Sequence, residues 1–195
     1  MKPRETGRGP HHGNLRAELL AAALAHVRAH GAATFSLRDA TSGAGVTSAA
    51  AYRHFASRAE VLDEVVVIGF VELSVGMAEQ AAAAPPRERL AATGNAYVEF
   101  ARVEPHLFAL MFGPEGQVGR ARARDTDLGA PSATDQLRAA LRAHDADTPT
   151  QFLHAWGLVH GLAALSAAGI AEEPDVRRVL TDFAAALAAR PPGVR

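Results

Sequence analysis

Residues 36–60 read SLRDATSGAGVTSAAAYRHFASRAE, and these 25 positions decide the fold. Ser36 with Asp39 is a shortened capping box, and Ser57 with Glu60 is a full one, so one helix starts near each serine. Between them Gly43, Ala44 and Gly45 break the first helix, and Thr47 or Ser48 can cap another. With Thr47 as the cap, the middle helix runs from Ser48 to Phe55. A turn of about 100° per residue then puts Val46, Ala51 and Phe55 toward the protein and Ser48, Ala49, Tyr52 and Arg53 on the outer face. Two short helices joined by a tight glycine-containing turn make a helix-turn-helix, whose second helix fits a DNA major groove.

The run GAGVTSAAAYRHF followed by SRAEVL resembles the DNA-binding signature of the TetR family of transcriptional regulators, with Tyr-Arg-His-Phe as its most specific part. The resemblance implies that Ser48, Ala49 and Tyr52 face base edges and that Arg38, on the preceding helix, reaches a base. It also implies that Thr47, Ala50, Arg53, His54 and Arg58 lie near phosphates. Two positions depart from the pattern: Ala40 stands where the family usually carries a bulky apolar residue, and Thr41 where it carries a small one. The three consecutive alanines from Ala49 cannot make bidentate base contacts, so specificity is expected to lean on Arg38, Tyr52 and DNA shape.

Composition agrees with an all-α protein. Of the 195 residues 48% are hydrophobic and only 6% aromatic, alanine is abundant, and no long alternating β-branched run occurs. The absence of cysteine excludes a disulfide framework and thiolate metal sites. No apolar run is long enough to span a membrane, and MKPRETGRGPHHGN lacks a signal-peptide core, so a soluble cytoplasmic protein is expected. Charge is uneven. Residues 1–60 hold 8 Lys and Arg against 4 Asp and Glu, and the remainder 12 against 17, which suits a DNA-reading head on an acidic body.

In chain order, Lys2, Arg4 and Arg8 form a basic arm that could follow a phosphate backbone or enter a minor groove, or simply be a solvated tail. Asn14 caps a first helix with the stripe Leu20, Ala23, Leu24 and Val27, ended by Gly31. His26 and His30 have metal-site spacing but no third ligand, and read better as an exposed pair. A long helix from Arg58 to about Ala83, apolar nearly all round, should be buried as a spine. Pro85-Pro86 stop it, and helices over Arg87–Glu104 and after Pro105 follow. Gly113 to Pro131, with four glycines and the arginines 120, 122 and 124, reads as a solvated loop. Ser132, then Thr148 with Pro149 and Gln151, start two more helices. A last helix runs from Pro174 to Arg190, closed by Pro191-Pro192.

The segments AYVEFARVEPHLFALMF (96–112) and WGLVHG (156–161) resemble one regulatory-domain subgroup of the same family, marked by Trp-x-x-x-His-Gly. The whole then reads as a three-helix DNA-binding domain over 1–57 and a ligand-binding and dimerisation bundle over 58–195. It implies a ligand-responsive regulator, expected to be a repressor, with no catalytic residues, metal or cofactor. Its partners would be a palindromic double-stranded operator, a second copy joined through the two C-terminal helices, and a small hydrophobic effector of unknown identity. The pocket is expected among Tyr97, Phe100, Phe108, Met111, Phe112, Trp156, Val159 and His160, since aromatics and methionine with a few polar tips suit an apolar ligand as well as they suit a core. Two other readings remain: a helical-bundle enzyme using His160 with Glu99 or Glu104, and a DNA-binding scaffold that senses nothing. A filled body would favour the scaffold, and a lined cavity the sensor.

Overall fold

The computed structural model describes residues 15–44 and 48–189, and no strand occurs among them. Asn14, the basic arm, Val46, Thr47 and Pro191-Pro192 lie outside the described residues. Helix α1, Leu15–His30, buries Leu19, Ala23 and Val27, and the chain leaves it through Gly31 at φ +79°. A single 3-10 turn over Ala32–Thr34 leads to α2, Leu37–Ala44. Ala40 and Thr41 are both buried there, and the Thr41 hydroxyl donates to the Arg38 carbonyl at 2.8 Å, so the polar residue on this inner face is satisfied within its own helix.

Helix α3 is shorter than expected. Only Ser48–Ala51 is α-helical, and the chain tightens at once, with the amides of Arg53 and His54 donating to Ala50 and Ala51 three residues back. The cause is the next cap. The Ala56 amide donates to Glu60 and the Glu60 amide to the Ser57 hydroxyl, so the reversal starts just after Phe55, which is anchored in the core at 1% exposure. Ala51 is fully buried, as the periodicity required.

Helix α4, Arg58–Ala83, is the spine, and from Val61 to Ala78 none of its residues is exposed. Helix α5 (Arg89–Val103) packs along α4 and passes α10 so closely that a Cβ on Gly94 would sit 3.1 Å from Leu180. Helix α6 spans Pro105–Phe112. The first part of the stretch expected to be a loop is instead a 3-10 turn (Pro114–Gly116) and a two-turn helix α7, Gln117–Arg124, while residues 125–132 are irregular as expected. Intrinsic propensity did not announce it, because glycine interrupts the segment. Packing makes it: at Gly119 a Cβ would meet the Val66 side chain at 2.6 Å and the Asp63 carbonyl at 2.8 Å. Arg120 also donates to the carbonyls of Met111 and Gly113 at the end of α6. Gly119→Ala is expected to force α7 off α4 and to lower stability by ~1–3 kcal/mol, measured as a drop in the urea midpoint without a change of slope.

Helices α8 (Ala133–Arg142), α9 (Pro149–Ala167) and α10 (Glu173–Ala188) complete the bundle. Ser132 and Thr148 cap α8 and α9, accepting from the amides of Asp135 and Gln151. One hydrophobic core runs without a break from Leu19 in α1 to Leu180 in α10, and a smaller one joins Leu90, Leu137, Leu141 and Leu187.

Candidate functional site

Two places on this frame concentrate chemistry. The first is the surface formed by α2, α3 and the turn after it. Arg38, Ala49, Arg53 and His54 are exposed, Ala50 is half-buried, and Tyr52 is 58% exposed although it is a large ring. A cysteine-free surface of arginine, histidine and an outstanding tyrosine, anchored by buried Ala51 and Phe55, can meet phosphates and base edges together. Of the other residues expected here, Thr47 and the Ser48 side chain lie outside the described residues.

Arg58, expected near phosphates, is engaged within the chain. Its guanidinium turns inward: Nε donates to the Phe35 carbonyl at 2.9 Å, Nη2 to the Ala32 carbonyl at 2.5 Å, and Nη1 to Glu115 Oε1 at 3.0 Å. Three acceptors within the protein engage it, while about 35% of the side chain stays exposed. The histidine pair on α1 is likewise engaged, His26 with the Thr34 hydroxyl at 3.0 Å and edge-on to the His30 and Phe35 rings. Among the described residues no group of three or more metal-ligating side chains gathers.

The second place is aromatic. Phe152, Trp156 and His160 recur every four residues on α9 and stack, with interplanar angles of 14° and 12°. The Arg138 guanidinium lies over Phe152 at 4.0 Å and closes one end of the column. Tyr97 from α5 meets Trp156 edge-on at 5.5 Å and Phe108 at 5.6 Å, and Phe112 lies 4.9 Å from His160. The Tyr97 hydroxyl and His160 Nδ1 are 2.9 Å apart, one donating and the other accepting according to the histidine tautomer.

Burial governs this pair. It raises the Tyr97 pKa well above the usual phenol range, so the hydroxyl stays neutral, and it lowers that of His160 below its ordinary value. A histidine held neutral by the fold protonates more readily unfolded. Its contribution is therefore complete above the unfolded pKa and is lost as pH falls. Wild type should accordingly lose more stability than His160→Gln between about pH 7.5 and about pH 5.5, read from urea midpoints at each pH.

The eight residues expected around a pocket do not share one space. Tyr97, Phe108, Phe112, Trp156 and His160 come together, but Tyr97 at 1% and Phe108 at 6% exposure are core. Val159 is core as well, and Met111 turns to α4, over Gly69. Phe100 lies elsewhere, in a groove of about 630 Å3 between α4, α5 and α10. Glu99 and Glu104 line that groove too, paired with Arg102 and Arg28, so neither stands with His160 as an acid–base pair would require.

Open space adjoins the cluster on its other side. A cleft of about 570 Å3 lies between α7, α8 and their connection, and Phe70, Phe112 and Trp156 line it together with Arg120, Arg124 and Asp135. Arg120, Arg124 and Asp135 were not legible as site residues, because the helix that carries two of them was not. The only sequence signal was the alternation of arginine with small residues from 119 to 124.

Two segments of the chain match known families. Residues 19–65 match the model for bacterial regulatory proteins of the tetR family, and residues 90–188 that for the tetracyclin repressor-like C-terminal domain. No curated protein matches. Among solved structures, a protein of unknown function from Rhodococcus sp. RHA1 is 28% identical with a TM-score of 0.74, over 91% of this chain and 97% of that one. PfmR, a TetR family transcriptional regulator from Thermus thermophilus, is 19% identical with a TM-score of 0.57, over 91% and 98%. RolR in complex with resorcinol is 16% identical with a TM-score of 0.60, over 93% and 97%. At these last two identities the likeness is one of fold.

Proposed function

The chain belongs to the TetR family of transcriptional regulators, and on that premise we propose that it is a dimeric repressor released from DNA by a small, largely apolar molecule. Residues 1–57 would read DNA and residues 58–195 would bind the effector and the second copy. The observation that carries the reading is the pairing of the exposed Arg38–Tyr52–Arg53 surface with a cleft whose floor is aromatic. Tyr52, Ala49 and Arg38 would address bases, and Arg53, His54 and Ala50 the backbone, with Thr47 and Ser48 beside them.

The cleft favours a sensor over a scaffold, since its volume is that of a small-molecule site and its aromatic residues would otherwise be covered. Phe70, Phe112 and Trp156 suit a flat ring, with Arg124 and Asp135 at hand for polar substituents. RolR has been solved with resorcinol, a ligand of that kind. Tyr97 and His160 would sit behind this wall and shape it, with Phe108, Met111 and Val159 as its support.

A two-fold partner has a suitable surface. On α9, Leu153, Gly157, Gly161 and Leu165 form one row at intervals of four, with the leucines 65% and 43% exposed and open space over both glycines. Val179 on α10 is exposed as well. Large residues at the ends and small ones in the middle let a helix and its copy cross closely, giving a four-helix bundle of α9 and α10 pairs.

The test is to select duplexes from a random pool with the full-length protein. A near-palindrome with half-sites about one helical turn apart is expected. Aromatic compounds that release this duplex should change the emission of Trp156, the single tryptophan. Selection of no sequence, or release without any change at Trp156, would count against the DNA and the effector parts respectively.

A further inference from the structure

We propose that residues 113–124 are the element through which the cleft acts on the first three helices, by two carboxylate–guanidinium links, one ending at Phe55 after the exposed turn and the other at the junction of α1 and α2. The inference rests on the effector reading of the cleft given above. Helix α7 is one wall of that cleft, since Arg120, Ala123 and Arg124 line it. Arg122, on the same short helix, reaches Glu64 Oε1 on α4 at 2.6 Å. The same oxygen holds Arg16 of α1 at 3.2 Å. The Arg16 guanidinium in turn lies 4.8 Å from the centre of the Phe55 ring, directly after the exposed Tyr52–His54 turn. One carboxylate oxygen therefore serves a cation from the cleft wall and a cation from the head.

The second link starts in the turn just before α7. Glu115 holds Arg58, and Arg58 holds the carbonyls of Ala32 and Phe35, which lie between α1 and α2. Glycine gives the segment no slack. A Cβ at Gly116 would lie 2.1 Å from the Leu110 carbonyl oxygen, and Gly119 abuts Val66. An occupant that displaces α7 must therefore move Glu115 and Arg122 with it. If Arg122 withdraws, Glu64 is left to Arg16 alone; if Glu115 withdraws, Arg58 keeps only its two carbonyls. Either change alters what holds Phe55 and the start of α2. The pairs are partly solvated, so each link is weak and the coupling is shared between them.

Because the chain has no cysteine, the cleft can be filled covalently. Thr134 is exposed on the α8 side, and Thr134→Cys can carry N-phenylmaleimide as the occupant. Amide hydrogen exchange is then followed in the full chain without DNA. Labelling should speed exchange in peptides covering 48–57 by about three- to five-fold, and the change should fall below about 1.5-fold when Glu64→Gln and Glu115→Gln are added. Arg122→Gln, at an exposed position, is the second variant should the double one melt early, and it should reduce the change as well. An equal effect in these backgrounds, or a label that perturbs 117–124 and leaves 48–57 alone, overturns the proposal. So does a label that changes exchange nowhere, since the wall then does not yield to an occupant. Binding of the unlabelled protein to its selected duplex is scored separately, so a failure of the DNA reading is not mistaken for a failure of the coupling.

Discussion

Leu153→Arg combined with Leu165→Arg should leave a folded monomer whose affinity for the operator is lower by ~100-fold or more. Both side chains are exposed in the single chain, at 65% and 43%, so removing them takes nothing from its core. In a two-fold pair they would face the partner's copy of the same row. Guanidinium groups there would be desolvated against one another with no carboxylate to answer them. The loss on DNA follows from tethering. In a dimer the second head binds at the effective concentration set by the first, which contributes ~10²–10⁴ in affinity, and a monomer forfeits it. Light scattering and titration of the selected duplex check the two halves of the expectation. A variant that stays dimeric would move the two-fold to another surface, and a monomer with unchanged DNA affinity would remove the need for one.

The next largest effect is expected at the reading surface. Tyr52→Ala and Arg38→Ala should each weaken binding to the selected duplex by ~1–3 kcal/mol and leave random-sequence binding nearly unchanged. Both residues are exposed, so neither truncation opens the core. Arg53→Ala should instead weaken binding to all sequences and flatten the salt dependence by about one phosphate. Arg58→Ala separates what the structure implies from what the family resemblance implies. With its guanidinium on two carbonyls and Glu115, its loss should lower stability and leave the salt slope as it was. Equal losses on specific and random duplexes for Tyr52→Ala would withdraw its base-reading role.

Helix starts were legible in the sequence because capping is local. Ser57 with Glu60, Ser132 with Asp135, and Thr148 with Gln151 each satisfy an orphan amide three residues on, and α4, α8 and α9 follow them in the structure. The buried spine was legible for a related reason, since a helix apolar on every side has no face to give to water. What faces what was not legible. Tyr97 and Phe100 are three residues apart on α5, about 60° around the axis, and that difference sends one into the aromatic cluster and the other into the groove toward α10. Arg58 stands at a helix start, where the resemblance pointed it to phosphates, and carbonyls brought near from residues 32 and 35 engage it. Helix α7 is the clearest case. Its glycine, Gly119, argues for a loop as long as the segment is read alone, and becomes the reason for a helix once α4 lies close enough to exclude a side chain. Periodicity and capping act over a few residues and so can be read along the chain, whereas the cleft is made by surfaces from distant segments and exists only when they are packed.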